Sequence, residues 1–126
     1  IAVKDVIKTS KLLVDIFGWK SQHGGNEFDI LMTRMNNPTL MLHEYSAHEH
    51  KRFGDIKKKS KGVGLSLYVF VENLDEVYQK VRRRKLKIIE PIFLNENSKA
   101  KEFTFQMTEG YQFSVCETDK WLYYMV

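Results

Sequence analysis

The densest group of metal-ligating side chains in this sequence is the string HEYSAHEH at residues 43–50. It contains histidines and glutamates, the residue types that hold zinc and related divalent ions in proteins. Their spacing differs from His-Glu-x-x-His, which would place two imidazoles on one turn of a helix. The string also runs from a strand end into a loop. We therefore expect His43 to face a binding cleft and the other residues to be solvated, with a zinc site as the lesser alternative.

Hydrolytic chemistry has no signature here. The sequence contains no Gly-x-Ser-x-Gly string and no convincing Cys/His arrangement. Its single cysteine, Cys116, lies in a strand-like run, where a small buried hydrophobe is expected rather than a nucleophile. One free cysteine is also typical of a reducing cytosol.

The charge of +4 and the pI near 9.1 come mainly from two basic runs, at residues 51–61 and 82–87. The first run is expected in a loop and the second at a helix end, where cations are favourable. Neither is accompanied by the aromatic or glycine pattern of a nucleic-acid module, so nucleic acid is not an expected partner. No 18-residue apolar run and no signal-peptide pattern occur, which predicts a cytoplasmic protein without a membrane partner.

The elements that must position any site occur twice along the chain. VKDVIKTSKLLVDIFGWK (3–20) and VENLDEVYQKVRRRKLKI (71–88) each lead from a strand end into a short helix. Asp5 is the predicted N-cap of the first helix, and Gly18 its end. Asn73 and Glu76 form a capping-box pattern for the second. The predicted inner faces of the helices are Leu13, Ile16 and Phe17, and Leu74, Val77, Tyr78 and Val81.

Apolar and polar residues alternate in six further segments, which predicts strands with two unlike faces. These segments are 27–35, 39–44, 64–71, 87–94, 102–108 and 111–117. In the third, Leu65, Leu67, Val69 and Val71 suit packing under a helix, whereas Ser66, Tyr68 and Phe70 point the other way. In the last, Gln112, Ser114 and Cys116 lie opposite the core residues Phe113 and Val115. A sheet with a mixed polar and aromatic face is expected to carry a pocket or a partner there.

The predicted architecture is therefore α+β, with two βαβββ units in one domain covering residues 1–126. Unit one is expected at about 1–45, a polar connector at about 46–62, and unit two at about 63–126. A connector of this length could place the second unit beside the first or beside another chain.

This order of elements resembles the glyoxalase, bleomycin-resistance and extradiol-dioxygenase superfamily, also called vicinal oxygen chelate proteins. The resemblance covers essentially the whole chain. It is carried by VKDVIKTSKLLVDIFGWK, by GVGLSLYVFVENLDEVYQKV (62–81) and by TEGYQFSVCE (108–117). It implies that the eight strands curl into an incomplete barrel whose cupped inner face holds a metal or a ligand.

Metal-using members of that superfamily place His or Glu at four inward strand positions. The resemblance puts the first ahead of Ile1 and the other three at Met41, Ser66 and Ser114. Methionine and neutral hydroxyls are poor ligands for a divalent ion of this kind. The hairpin also departs from the family's Asp-Pro-Asp-Gly, with Met107, Thr108 and Glu109 before Gly110. We therefore expect no metal and no cofactor.

The resemblance implies a cup that is lined by side chains from both units. These residues are Met41, His43, Ser66, Tyr68, Phe70, Gln112 and Ser114, with Cys116, and with Glu102, Thr104 and Gln106 if Phe103 and Phe105 face a helix. Aromatic rings beside a few hydroxyls and amides bind flat small molecules by stacking and oriented hydrogen bonds. The alternative is that these side chains only fill a narrow cup or a dimer seam.

The sequence thus predicts a metal-free small-molecule binding protein, closest in character to the bleomycin-resistance proteins and forming a homodimer like them. Its ligand would be a drug or an aromatic metabolite. The basic whole-chain charge favours an anionic or neutral ligand over a cation. The alternative is a divergent metal-dependent lyase, isomerase or dioxygenase of the same superfamily, with a different ligand set.

Overall fold

The computed structural model describes residues 1–45 and 61–118, and all structural statements below concern those residues. The fold is α+β and consists of two compact units, Ile1–Lys59 and Ser60–Val126. Each unit has one helix and one four-stranded mixed sheet. Among the described residues, no helix is long and apolar enough to cross a membrane.

The first unit runs β1 (Ala2–Val3), α1 (Val6–Phe17), β2 (Lys20–Ser21), β3 (Phe28–Met32) and β4 (Pro38–Glu44). Its strand order is β1-β4-β3-β2. Strand β1 pairs with β4 in parallel, and the other pairs are antiparallel.

The second unit repeats this arrangement with longer strands. It runs β5 (Ser66–Val71), α2 (Leu74–Arg83), β6 (Lys87–Leu94), β7 (Lys101–Gln106) and β8 (Gln112–Glu117). Its strand order is β5-β8-β7-β6, and again the strand that precedes the helix pairs in parallel with the last strand. The same topology in both units confirms the predicted βαβββ duplication.

Both helices begin at the predicted caps. The Asp5 carboxylate accepts a hydrogen bond from the Lys8 backbone N–H at 2.9 Å, and Gly18 ends α1 in the left-handed region with φ 70°. The Asn73 side chain accepts from the Glu76 backbone N–H at 3.1 Å. These bonds satisfy backbone N–H groups that have no partner within a helix.

The core of the second unit lies between α2 and one face of its sheet. Leu74, Val77 and Val81 are the buried residues of α2. They face a layer of stacked aromatic rings, in which the Phe105 and Phe113 ring centroids are 5.3 Å apart. Tyr78 meets Phe103 edge-on at 4.9 Å, a favourable aromatic geometry. Phe103 and Phe105 therefore face the helix, and the alternate residues of β7 must face the other way.

A close backbone contact holds the entry to β5 against the β7–β8 hairpin. Gly62 and Gly110 both have positive φ, 80° and 109°. A Cβ atom on Gly62 would overlap the carbonyl group of Gly110, and one on Gly110 would meet the Lys61 carbonyl oxygen. Glycine is required at Gly62 for both reasons, conformation and space.

Some predicted boundaries are wrong. The third segment becomes a strand only at Ser66, after the turn at Gly62–Gly64, so Leu65 is exposed and does not pack under α2. Strand β3 stops at Met32, and the two-residue strand β2 was not among the predicted segments. Pro91 lies in the edge strand β6, whose pairing with β7 shifts register on both sides of Glu90, as expected for a proline in a sheet. His48, His50, Glu49 and nearly all of the first basic run lie outside the described residues.

Candidate ligand-binding face

The sheet of the second unit has one face under α2 and one face on which no helix of the described residues packs, which we call the open face. Side chains alternate along each strand, and the strand register places those of the open face in rows across the sheet. The open face consists of Ser66, Tyr68, Phe70, Lys87, Glu90, Phe93, Glu102, Thr104, Gln106, Gln112, Ser114 and Cys116. The structure thus brings together all five site residues that were predicted in the second unit.

Two neighbouring aromatic side chains of β5 stand exposed on this face. Tyr68 is 57% and Phe70 is 38% exposed, and their ring centroids lie 6.4 Å apart at an interplanar angle of 37°. Exposed rings grouped on one face are a feature of binding surfaces rather than of ordinary solvated strands.

A row of polar side chains, three hydroxyls and one carboxylate, crosses all four strands next to these rings. Thr104 Oγ1 donates to Glu90 Oε1 at 3.1 Å and lies 3.1 Å from Ser114 Oγ. Ser114 Oγ in turn lies 2.9 Å from Ser66 Oγ. Thr104 and Ser114 are buried, whereas Ser66 and Glu90, at the two ends of the row, are exposed. We call these four residues the hydroxyl row.

The carboxylate of Glu102 is buried beside the rings. Only 8% of Glu102 is exposed, and its Oε1 accepts a hydrogen bond from Asn95 Nδ2 at 3.1 Å. Partial burial raises the pKa of Tyr68, and Glu102, Cys116 and Glu90 add to the increase. The raised pKa keeps the Tyr68 phenol protonated at neutral pH. The open face carries two carboxylates, Glu90 and Glu102, against one cation, Lys87, whereas the whole chain has a net charge of +4.

A groove of about 900 Å³ opens at one end of the open face. Phe70, Leu94 and Cys116 form its apolar wall, and Lys99, Lys101, Glu72 and Glu117 add both signs of charge. The volume lies within the range of roughly 300–1,000 Å³ that is typical of ligand sites. Phe70 and Cys116 belong to both surfaces, so the groove continues the open face.

Cys116 carries a protonated thiol. Burial raises its pKa, and the nearby Glu102 and Glu117 carboxylates raise it further. A thiol in this state is a weak nucleophile. Its burial agrees with the predicted role as a small buried hydrophobe.

The two predicted site residues of the first unit, Met41 and His43, lie on strand β4. Met41 is exposed, whereas His43 is buried. The rings of His23, Phe28 and His43 form a column, with centroids separated by 4.2 and 6.5 Å. His43 therefore packs within its own sheet, and its participation in a pocket with residues of the second unit stays a prediction.

The first unit also contains a cavity of about 250 Å³ beside a buried carboxylate, Asp29. Asp29 Oδ2 accepts from Ser10 Oγ at 2.7 Å and from Ser21 Oγ at 2.5 Å, and Oδ1 accepts from the backbone N–H groups of His23 and Gly24. Burial by itself would raise the pKa of Asp29, but these four bonds outweigh it and lower the pKa. The carboxylate is fully used within the fold and ties α1 to the loop after β2.

The residues at the metal positions implied by the resemblance do not fit a metal ion. Ser66 and Ser114 are neutral hydroxyls bonded to each other, and Ser114 also bonds to Thr104. Met41 offers only a thioether, which suits soft ions rather than the hard or borderline ions of this superfamily. Within residues 1–45 and 61–118, no group of three or more His, Cys, Asp or Glu side chains is arranged to hold a metal.

Sequence reasoning missed Glu90 and the groove residues Leu94, Lys99 and Lys101. An available signal for Glu90 was its position as the only acidic residue in the otherwise apolar segment KIIEPIFL. The register shifts next to the proline that follows Glu90. Alternation alone therefore could not predict which residues of this strand face which side of the sheet.

Comparisons with known proteins identify the fold. No protein-family model matches the sequence, and no curated protein does. Solved structures do match. A glyoxalase/bleomycin resistance protein/dioxygenase family enzyme from Burkholderia phytofirmans PsJN is 14% identical with a TM-score of 0.76, and the match covers 93% of each chain.

Two further structures extend this result. A genomically encoded fosfomycin resistance protein from Listeria monocytogenes is 11% identical with a TM-score of 0.67, covering 95% of this chain and 89% of that one. A glyoxalase/bleomycin resistance protein/dioxygenase superfamily member from Sphaerobacter thermophilus DSM 20745 is 16% identical with a TM-score of 0.66, covering 93% and 94%. At identities this low, the structural similarity shows a shared fold alone. This fold is the predicted one.

Proposed function

We propose that this chain, which has the glyoxalase/bleomycin-resistance fold, is a metal-free protein that binds a small aromatic molecule on its open face. The observation that carries the proposal is the exposure of Tyr68 and Phe70 beside the buried hydroxyl row. The rings provide stacking area, and the hydroxyls and carboxylates provide oriented polar contacts. This combination is typical of small-molecule sites.

The adjoining groove supports the proposal because it has room for the remainder of a ligand. Phe70 and Leu94 would contact an apolar part, and Lys99 or Glu117 a polar substituent. The name of the Listeria structure, a fosfomycin resistance protein, is consistent with ligands of small-molecule size in this fold. Binding without chemical conversion fits the open face best, because Cys116 is a protonated thiol and the expected metal positions carry Ser66 and Ser114.

A thermal-shift screen of mono- and bicyclic aromatic compounds tests this function. Tyr68→Ala and Phe70→Ala should each reduce the shift produced by a hit, since each removes a ring that stacks on the ligand. Both residues are exposed, so the variants should remain folded. Met35→Ala removes an exposed apolar side chain from the first unit and is the matched control. Shifts that are unchanged in both ring variants would place the site elsewhere.

We also propose that the protein acts in the cytoplasm as a homodimer. The dimer is the arrangement implied by bleomycin-resistance-like proteins, and light scattering tests it. A monomeric mass would remove the dimer from the proposal without affecting binding on the open face.

A further inference from the structure

The hydroxyl row has a single possible direction of hydrogen bonding. A carboxylate accepts, so the one hydroxyl proton of Thr104 is used on Glu90. The contact between Thr104 and Ser114 at 3.1 Å must then use the Ser114 proton. The contact between Ser114 and Ser66 at 2.9 Å must accordingly use the Ser66 proton. The order runs Ser66 to Ser114 to Thr104 to Glu90.

This order determines what Ser66 can offer to a ligand. Ser66 is the exposed end of the row, and its only proton points inward to Ser114. Its outward side therefore presents lone pairs alone, and its hydrogen bond to a ligand must be one that it accepts. Reversing the row would break the bond from Thr104 to the Glu90 carboxylate, and a hydrogen bond to a charged acceptor is stronger than one between two neutral hydroxyls.

The neighbouring groups also favour a ligand that donates a hydrogen bond. Gln106 Nε2 uses one of its two N–H groups on the Gly110 carbonyl oxygen at 3.1 Å. The two carboxylates of Glu90 and Glu102 outnumber the one cation of the face, Lys87. Gln112, opposite Ser66, carries both a donor and an acceptor and so imposes no preference.

We infer that the open face selects aromatic molecules, neutral or cationic, that carry a hydrogen-bond donor, and that Ser66 Oγ accepts from that donor while Tyr68 and Phe70 hold the ring. This inference rests on the proposed function and specifies its ligand class. It also departs from the sequence argument for an anionic or neutral ligand, which used the charge of the whole chain rather than that of the face.

Indole and benzofuran are suitable probes because they have nearly the same shape, but indole has a ring N–H donor where benzofuran has an acceptor oxygen. Each is titrated into ¹⁵N-labelled protein, and binding is followed by amide shifts of Ser66 and Tyr68. Indole should bind about tenfold more tightly, a difference of ~1.4 kcal/mol that is expected for one buried hydrogen bond of this kind. Equal affinities would overturn the inference and leave the proposed function standing. An absence of shifts on the open face with either probe would overturn both.

Thr104→Val tests whether the row causes the preference. Valine keeps the shape of threonine but removes the acceptor for Ser114, so Ser114 can turn its proton toward Ser66 and Ser66 can donate outward. The preference for indole should then fall to about twofold or less. Thr108→Val makes the same chemical change at an exposed turn position and should keep the tenfold preference. A tenfold preference that persists in folded Thr104→Val protein would overturn the inference.

Neutron diffraction from a deuterated crystal tests the proton order without any ligand. The deuteron of Ser66 should lie between its Oγ and that of Ser114, and the deuteron of Ser114 should point to Thr104. A Ser66 deuteron directed away from Ser114 would overturn the inference, whatever the outcome of the titrations.

Discussion

The Oγ atoms of Ser66 and Ser114 lie 2.9 Å apart on neighbouring parallel strands. These are two of the positions at which the superfamily resemblance places metal ligands. Here the two hydroxyls bond to each other and extend through Thr104 to Glu90, forming a polar row across the sheet. The same place in the fold therefore presents hydrogen-bonding groups next to exposed rings.

The first prediction concerns metal content. Protein purified without a histidine tag should contain zinc, nickel, iron and manganese well below one equivalent, because Met41, Ser66 and Ser114 provide neither charge nor imidazole. Elemental analysis by mass spectrometry measures this directly. One equivalent of any of these metals, retained after dialysis against a weak chelator, would favour the metalloenzyme alternative.

Asp29→Asn should destabilise the first unit. The amide nitrogen cannot accept the hydrogen bonds that one carboxylate oxygen receives, which leaves buried donors unpaired at an expected cost of about 2–4 kcal/mol. Urea unfolding at pH 7 measures this cost. Asp15→Asn, an exposed change on α1, is the control and should shift stability by about 0.5 kcal/mol or less.

The effect of Asp29 should depend on pH in one direction. Its pKa is lowered in the folded protein, so its contribution to stability is fully present above the unfolded value of about 3.9 and is lost as the pH falls through the folded value. The stability gap between wild type and Asp29→Asn should therefore be constant from pH 7 to 5 and narrow below about pH 4. A gap that narrows already between pH 7 and 5 would contradict the lowered pKa.

Gly62→Ala should destabilise the second unit more than Gly64→Ala. Both glycines have positive φ, 80° and 72°, so the conformational penalty is similar. Only at Gly62 would a Cβ atom overlap the Gly110 carbonyl group, whereas nothing lies within 4 Å of one at Gly64. The overlap should add about 1–3 kcal/mol, a typical cost of overpacking. Equal unfolding midpoints for the two variants would show that Gly62 and Gly110 are not in contact.

Cys116 should react slowly with iodoacetamide at pH 8. Burial limits access, and the raised pKa keeps the thiol protonated. Because it is the only cysteine, mass spectrometry of the intact protein reports it alone. Labelling should be at least about tenfold slower than in urea, and a ligand on Phe70 should slow it further. Labelling that is as fast in native protein as in urea would place the thiol at the surface.

Much of the fold followed from local rules in the sequence. Asp5, Gly18 and Asn73 cap their helices as predicted, because capping depends on side chains a few residues apart. Strand alternation also correctly assigned Ser66, Tyr68 and Phe70 to one face and Val69 and Val71 to the other. The duplication also correctly predicted that both units follow the same βαβββ order.

The rest depended on contacts between distant residues. The link from Glu90 to Thr104 crosses a register shift next to Pro91, and such shifts change which side chain faces which side. The charge of the open face also differs from that of the chain, because Glu90 and Glu102 meet there through strand pairing. Composition alone therefore favoured an anionic or neutral ligand, whereas the arranged side chains favour a ligand that carries a hydrogen-bond donor.

A crystal structure of the protein soaked with a screening hit tests the central claim most directly. Density for the ligand ring is expected over Tyr68 and Phe70, with one polar atom within hydrogen-bond distance of Ser66 Oγ. Ligand density that lies elsewhere, with the rings of Tyr68 and Phe70 packed against protein, would show that the open face is an interface rather than a binding site.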